Sequence, residues 1–378
     1  MKKNYMFTPG PTMVPHEVLL AEAAPMIHHR TPDFSKIMRE VTDGMKKLFG
    51  TEQEVYSIAG SGTAAMDAAI ANTCSPGDTA ICVRGGKFGA RWAEICKAYG
   101  CEVINIDIKW GQSPSIEQIR SALGEHPDAR VLCVTHSETS TAALTDVQAI
   151  GTMTCEQSTL LVVDAITSVG VHPVCMDKWG LDVVVSGSQK GCMIPPGLGF
   201  IAASPDAWDI IDDCASPRYY LDMRAMRDKW ADSTQTPFTG TVSLTRALQK
   251  ALKMMREEGL ENLYARHARL AEATRSAMMA IGLDLVADNP VNGVTAVWAP
   301  ESIDTGEMTK LMRDQYGVTI AGGQAELKGR IFRIGHMGYV SEDDLLICIS
   351  AVERALRDLG YQFDLGTGVS TAQEKLFG

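Results

Sequence analysis

Short apolar runs alternate with longer helical stretches from about residue 54 onward, and this alternation constrains the fold more than any other feature. The runs at residues 130–134 and 160–164 are apolar almost throughout, as strands are when helices cover both faces of a parallel sheet. Strand–helix alternation of this kind implies βαβ crossovers. We therefore expect an α/β protein built on a doubly wound, mainly parallel sheet.

The pattern changes beyond residue 242, where long helices are predicted at 243–258 and 260–280, followed by a smaller α+β part with strands near 293–298 and 331–334. We place a domain boundary near Glu258 and Gly259, which gives an N-terminal segment (1–20), a large domain (21–258) and a small C-terminal domain (259–378). In the large domain, helices are predicted at 62–74 and 91–99. The strands predicted in that domain span residues 55–59, 79–83, 102–107, 130–134, 160–164, 182–185 and 199–203.

Composition excludes several classes of protein. The formal net charge is −11 with no basic block, which argues against a nucleic-acid partner. No signal peptide and no apolar stretch of membrane-spanning length is recognisable, so a cytoplasmic protein is expected. The ten cysteines form no CxxC pair, and several lie in apolar runs. We interpret them as buried free thiols, with no disulfide and no metal site.

Two polar residues follow apolar strands, at the sheet edge where ligands commonly bind in α/β proteins. Lys190 follows such a strand and a stretch of small residues (SGSQ), so its amine can be deprotonated and nucleophilic, as Schiff-base chemistry requires. Asp164 ends the run at 160–164, where a carboxylate could keep a pyridine nitrogen protonated. A snorkelling lysine, and an aspartate that binds Mg²⁺ or caps a helix, are the alternatives.

Two further elements could bind anions. Residues 59–63 (AGSGT) join a strand to an Ala-rich helix, where backbone N–H groups and the hydroxyls of Ser61 and Thr63 could cradle a phosphate. They match neither the dinucleotide-binding nor the P-loop pattern, and a plain turn with an N-cap serine is the alternative. Arg333 lies within an apolar strand, where its charge requires a carboxylate or phosphate ligand, or a structural salt bridge.

The order of these elements along the chain resembles one family. A phosphate turn, Asp164, Lys190 and Arg333, together with TPGP at residues 8–11 and HHRTP at 28–32, are similar to the class V aminotransferases of fold type I. Within that family the chain resembles the alanine–glyoxylate and serine–pyruvate aminotransferase group. The resemblance covers nearly the whole chain and implies transfer of an amino group from a small amino acid to a 2-oxo acid such as glyoxylate or pyruvate.

The resemblance also implies a role for each site residue. Lys190 should hold pyridoxal 5′-phosphate as a Schiff base and move the substrate's α-proton, and Asp164 should pair with the ring nitrogen. Arg333 should bind the carboxylate of the amino acid and of the oxo acid. Thr239 should complete the phosphate pocket of a neighbouring subunit, which implies a homodimer with two shared active sites. The other implied cofactor contacts are Ser61, Gly62, Thr63, Phe88, Thr139, Ile166 and Gln189.

One departure from the family leaves the substrate open. Phe88 stands where alanine–glyoxylate enzymes usually have a tryptophan that stacks on the cofactor ring; stacking should survive, but substrate preference can differ. Cysteine desulfurases share the lysine but need a nucleophilic cysteine in the C-terminal half, and no cysteine lies between Cys214 and Cys348. A 2-aminoethylphosphonate–pyruvate transaminase, another class V enzyme and a non-enzymatic nucleotide-binding module are the remaining alternatives.

Overall fold

The computed structural model describes residues 3–378, and within that range the chain forms strands β1–β14 and helices α1–α14. The strands are β1 (Tyr5–Met6), β2 (Tyr56–Gly60), β3 (Thr79–Arg84), β4 (Glu102–Asp107), β5 (Val131–Thr135), β6 (Ser137–Glu138), β7 (Ala143–Leu144), β8 (Leu160–Asp164), β9 (Val183–Gly187), β10 (Gly197–Ala203), β11 (Val294–Trp298), β12 (Val318–Thr319), β13 (Ala321–Gly322) and β14 (Ile331–Gly335). The helices are α1 (His16–Glu22), α2 (Pro32–Phe49), α3 (Gly62–Thr73), α4 (Lys87–Ala98), α5 (Ile116–Glu125), α6 (Val147–Thr154), α7 (Met176–Trp179), α8 (Pro205–Asp213), α9 (Met223–Ser233), α10 (Val242–Glu258), α11 (Leu260–Ala280), α12 (Thr305–Leu311), α13 (Glu342–Asp358) and α14 (Thr367–Phe377).

A seven-stranded sheet forms the centre of the molecule, in the order β2-β10-β9-β8-β5-β3-β4. Only β10 runs antiparallel to its neighbours; the other strands share one direction. All seven strands predicted for the large domain form, each within about two residues of its expected bounds. The predicted α/β class with a mainly parallel sheet is confirmed.

Side chains of the central strands alternate between two separate cores. In β8, Leu161 and Val163 pack into a cluster with α2, α5 and α10, whereas Leu160 and Val162 pack into a cluster with α3, α4 and α9. Since successive side chains of a strand point to opposite faces, a strand covered on both faces must be apolar at every position. The continuous apolar runs in the sequence therefore indicate helices on both sides of the sheet.

The C-terminal part has its own sheet and core. Strands β11, β14 and β13 form an antiparallel sheet, so the strands predicted near 293–298 and 331–334 are present. Its cluster combines side chains of α11, α13 and α14 with Phe7 from the N-terminal segment, while Val18 of α1 packs with the large sheet. Residues 3–20 thus contact both parts, and the three-part division of the chain stays a prediction.

All ten cysteines are free thiols, and eight of them are buried, as expected. The expectation of burial was wrong for the other two, since Cys175 is half-buried and Cys155 is exposed. The sulfur atoms of Cys82, Cys96 and Cys133 lie within 4.8 Å of one another, because β3 and β5 pair Cys82 with Cys133 in register and α4 packs Cys96 on top. No helix within residues 3–378 combines the length and the apolar character needed to cross a bilayer.

Candidate active site

A small cavity opens at the edge of the large sheet where β2, β8 and β9 end. Asp164 is the last residue of β8, Ser61 follows β2, and Lys190 comes three residues after β9. Because these strands share one direction, their carboxyl ends lie at the same edge, which is where open α/β sheets bind ligands. The cavity is lined by Ser61, Gly62, Thr63, Phe88, Arg91, Thr139, Asp164, Ile166, Thr167, Gln189 and Lys190.

Lys190 is half-buried, and its amine lies against the N-terminal segment. The Nζ atom donates a hydrogen bond to the carbonyl oxygen of Pro9 at 2.7 Å. Burial lowers the pKa of Lys190 to about 8; the charge of Asp164 opposes this shift, and those of Arg333 and Arg91 add to it. A lysine with this pKa has a larger neutral, nucleophilic fraction near neutral pH than an ordinary lysine, which favours imine chemistry.

The TPGP segment is what holds Lys190 in place, a role that the sequence did not reveal. A Cβ atom on Gly10 would lie 2.3 Å from Lys190 Nζ, so a side chain there would displace the lysine. Two residues further, Thr12 donates from its backbone to the Gln189 carbonyl and from its hydroxyl to the Lys190 carbonyl, at 3.2 and 3.1 Å. In the sequence, TPGP was recognisable only through its resemblance to the family. Its contacts with Lys190 span about 180 residues of the chain, and such contacts leave no local sequence pattern.

Asp164 is 3% exposed and belongs to no ion pair within residues 3–378. Its Oδ1 accepts a hydrogen bond from the backbone of Ile166 at 2.8 Å. Burial raises the pKa of Asp164 to about 7; the Ile166 bond lowers it, and of the nearby charges Glu138 raises it further whereas Arg91 and Lys190 lower it. A cationic N–H group in the cavity would favour the charged carboxylate, which is the property needed to hold a pyridine nitrogen protonated.

The turn before α3 has the features of a phosphate cradle. Ser61 occupies the N-cap position, but its hydroxyl makes no capping bond, so it is available to a ligand beside the free N–H groups of the first turn. Cβ atoms on Gly62 and Gly187 would come within 2.5 Å of the Ile166 side chain and 3.1 Å of the Gly62 nitrogen, respectively. Gln189 Oε1 is buried without a hydrogen-bond partner in the described residues, which leaves its carboxamide free to bind a ligand.

Phe88 and Arg91 form the wall contributed by α4. The Arg91 guanidinium lies over the Phe88 ring, 5.0 Å from its centroid, and donates to the Thr63 hydroxyl at 3.0 Å. Arg91 thereby joins the expected ring-stacking residue to the phosphate turn. Sequence reasoning missed Arg91, although its position three residues after Phe88 places both on one helix face.

Arg333 is 5% exposed and is held by carbonyl groups instead of a carboxylate. Its Nε and Nη2 donate to Gly322 at 3.0 and 2.8 Å, and its Nη1 donates to Thr139 at 2.9 Å. Burial lowers the pKa of Arg333 to about 10, and the charge of Glu138 opposes that shift. No carboxylate within residues 3–378 lies within 4.0 Å of it, so no structural salt bridge accounts for this buried charge.

Nine predicted site residues line the cavity, and two do not. Thr139 shares a hydroxyl–hydroxyl bond of 3.0 Å with Thr167, a lining residue that sequence reasoning missed. Arg333 reaches the cavity wall through its bond to the Thr139 carbonyl. Thr239 lies elsewhere, in a groove with Tyr220 and Thr236. Its expected contact with the phosphate pocket of a neighbouring subunit therefore stays a prediction.

Comparison with known proteins identifies the class to which this fold and site belong. The sequence matches the aminotransferase class-V family over residues 4–340. It is 44% identical to a Synechococcus protein described as the small subunit of a soluble hydrogenase, over 99% of this chain and 98% of that protein. It is 35% identical to the L-aspartate–glyoxylate aminotransferase of Paracoccus denitrificans, over 98% of this chain and 96% of the enzyme.

A solved structure agrees with the sequence comparisons. The alanine–glyoxylate aminotransferase of Nostoc sp. superposes with a TM-score of 0.91 at 31% identity, covering 94% of this chain and 96% of that enzyme. The protein therefore belongs to the class-V aminotransferase family. The expected family, the fold type I architecture and the aminotransferase activity are confirmed.

Proposed function

We propose that the protein uses pyridoxal 5′-phosphate, held on Lys190, to move an amino group from a small amino acid to glyoxylate or pyruvate. The observation that carries this proposal is the convergence of Lys190, Asp164 and the turn before α3 on one cavity. These are the nucleophile, the ring-nitrogen partner and the anion cradle that this cofactor needs. The family supports the same cofactor.

The residues present fit that cofactor. The phosphate would bind to the N–H groups of Gly62 and Thr63, with the hydroxyl of Ser61 and the side-chain N–H₂ group of Gln189 as further donors. Phe88 and Ile166 offer apolar surfaces for the two faces of a flat ring. When bound, pyridoxal phosphate supplies an electron sink for the electron pair that remains when the substrate's α-proton leaves.

Two side chains of the protein would act directly on the substrate. Lys190, whose pKa is lowered to about 8, can accept a proton at Nζ and return it within the pH range of a cell. Arg333 offers a planar pair of N–H donors that fits a carboxylate, and its burial makes that interaction strong. The bonds to Gly322 and Thr139 fix the guanidinium before the substrate arrives.

Glyoxylate is the acceptor that we favour. It appears in the names of both relatives whose activity is described above, whereas their donors are aspartate in one and alanine in the other. The donor of this chain therefore remains to be identified among alanine, serine and aspartate. We further propose a cytoplasmic homodimer in which Thr239 reaches the phosphate pocket of the second subunit.

The first test is chemical trapping. Borohydride reduction of the purified protein followed by mass spectrometry should place a pyridoxyl adduct on Lys190, and an adduct on another lysine would contradict the proposal. A colourless protein that binds a nucleotide would instead favour the non-enzymatic module.

The second test identifies the substrates. Alanine, serine, aspartate and 2-aminoethylphosphonate are each assayed against glyoxylate, pyruvate and 2-oxoglutarate, following product formation. We expect turnover with glyoxylate and a small amino acid. Exclusive turnover of 2-aminoethylphosphonate with pyruvate would support the alternative transaminase.

A further inference from the structure

Glu138 is a buried carboxylate beside the cavity to which the proposed reaction assigns no step. It ends β6, is 4% exposed, and lies in no ion pair within residues 3–378. Burying an ionised carboxylate is costly unless hydrogen bonds compensate it. The surroundings of Glu138 supply such bonds, and they come from the element that forms one wall of the cavity.

The carboxylate clamps the first turn of α4. Its Oε2 accepts from the backbone of Phe88 at 3.1 Å and of Gly89 at 2.9 Å, and its Oε1 accepts from the backbone and the hydroxyl of Ser140. The Ser140 hydroxyl in turn accepts from the backbone of Lys87 at 3.0 Å. Helix α4 has Gly86 at its N-cap and no capping side chain of its own, so Glu138 satisfies donors that the helix leaves open.

The glycine at the N-cap makes this contact possible. A Cβ on Gly86 would lie 2.4 Å from the Glu138 carboxyl carbon and 2.4 Å from the Ser140 hydroxyl. Any side chain at position 86 would therefore push the carboxylate off the helix. The arrangement joins the end of β6, which is followed by Thr139, to the helix that carries Phe88 and Arg91.

The charge of Glu138 also acts on two other titratable groups of the site. Its negative charge raises the pKa of Asp164 and that of Arg333. Burial raises the pKa of Glu138 itself, and the bonds from Ser140, Gly89 and Phe88 act against that shift by favouring the charged form. The same carboxylate thus contacts the ring-stacking wall and influences two groups expected to bind the cofactor and the substrate.

We propose that Glu138 is a positioning residue: its ionised carboxylate fixes the first turn of α4 so that Phe88 and Arg91 face the cofactor. This inference rests on the proposed function, because it assigns Phe88 and Arg91 to a cofactor site. It predicts that loss of the charge loosens the wall and weakens cofactor binding. Glutamine keeps the size of the side chain but presents an N–H₂ group to backbone N–H donors.

The chain contains a matched control far from the cavity. Glu353 is 1% exposed and accepts hydrogen bonds from the backbone of Gly366, Gly368 and Val369, at 2.8, 2.6 and 3.3 Å. It therefore clamps the start of α14 as Glu138 clamps the start of α4. A role confined to stability predicts the same behaviour for Glu138→Gln and Glu353→Gln.

The experiment compares these two variants by cofactor affinity of the apoprotein, the pH titration of the visible band of the holoenzyme, and thermal unfolding. Both variants should melt below the parent. Only Glu138→Gln should bind pyridoxal phosphate about tenfold more weakly, or worse, which corresponds to about 1.4 kcal/mol. Its visible band should titrate at lower pH, because a nearby negative charge that favours protonation is gone. Affinity and titration within about twofold of the Glu353→Gln values would overturn the proposal.

Hydrogen exchange separates this inference from the proposed function. In the apoprotein, Glu138→Gln should speed amide exchange at residues 87–91 and leave 366–369 unchanged; unchanged exchange at 87–91 would overturn the clamp. If the parent binds no pyridoxal phosphate, the proposed function fails while the exchange result still reports on the clamp. If Glu138→Gln does not fold, Ser140→Ala removes one of its contacts, and the same affinity and exchange changes are expected in smaller measure.

Discussion

Replacement of Arg333 by lysine separates a binding role for this residue from a structural one. The guanidinium makes three hydrogen bonds to the carbonyl groups of Gly322 and Thr139 and meets no carboxylate within residues 3–378. Lysine keeps the positive charge but cannot offer the same planar fork. Arg333→Lys should therefore lose some hydrogen bonds to carbonyl groups and nearly all of the two-point recognition of a substrate carboxylate.

The two losses differ in size. One or two hydrogen bonds to neutral carbonyl groups contribute roughly 1–3 kcal/mol to the free energy of unfolding. Their loss should therefore lower the melting temperature by a few degrees. Removing one partner of a desolvated charged pair costs about 2–5 kcal/mol in binding. At about 1.4 kcal/mol per factor of ten, kcat/KM should fall roughly 30-fold to several thousand-fold.

The assay measures thermal unfolding, cofactor affinity and steady-state kinetics on the same preparation. We expect a folded variant that binds cofactor like the parent, with a large loss of kcat/KM for carboxylate donors. A strongly lowered melting temperature with near-normal kcat/KM would refute the reasoning, because it would make Arg333 a structural residue. Thr295→Val serves as a control, since Thr295 lies on the neighbouring strand and its hydroxyl contacts His336 instead of the cavity.

Four further predictions follow from the site and its surroundings. Lys190→Ala should abolish transamination but still bind cofactor through the turn before α3, as measured by absorbance after dialysis; retained turnover would exclude the lysine. Asp164→Asn should lower kcat far more than it weakens cofactor binding, and an unchanged kcat would count against a role at the ring nitrogen. Mixing Lys190→Ala with Thr239→Asp, whose added charge repels phosphate, should restore some activity through hybrid dimers, whereas a monomer by light scattering would contradict the shared site. His136, His267 and His336 are buried, and burial lowers their pKa values to about 3. The unfolded chain binds these protons from about pH 6.5 downward, so the free energy of unfolding in urea should fall between about pH 6.5 and pH 3. A flat profile would show that the histidines are hydrated.

Local pattern was sufficient to predict the large sheet. The apolar runs at β5 and β8 require cover on both faces, and helices lie on both faces in the structure. Position along the strands also placed Asp164 and Lys190 at one edge, because strands of a parallel sheet share their carboxyl ends. Those inferences depend on periodicity and on the direction of the chain, which a single sequence carries.

The contacts that fix the site could not be predicted in this way. The Pro9 carbonyl meets Lys190 across 181 positions, and Glu138 meets Gly89 across 49. No hydrophobic period or turn signal links such residues, since the packing of separate elements brings them together. Arg91 is an intermediate case, because its helix face follows from its spacing to Phe88 but the direction of its guanidinium depends on Thr63.

The balance of charge around the cavity explains why these particular groups are found together. Lys190, Arg91 and Arg333 bring positive charge to the cavity, whereas Asp164 and Glu138 bring negative charge, and Arg333 and Asp164 are both almost fully buried. A buried guanidinium without a carboxylate is costly in a fold maintained for stability alone. The cost is offset once an anionic ligand arrives, and the proposed reaction supplies two: the cofactor's phosphate at the turn beside Thr63 and Arg91, and the substrate's carboxylate at Arg333. On the proposed function, Arg91 and Arg333, which form no ion pair within residues 3–378, belong to a site that is complete only when both anions are bound.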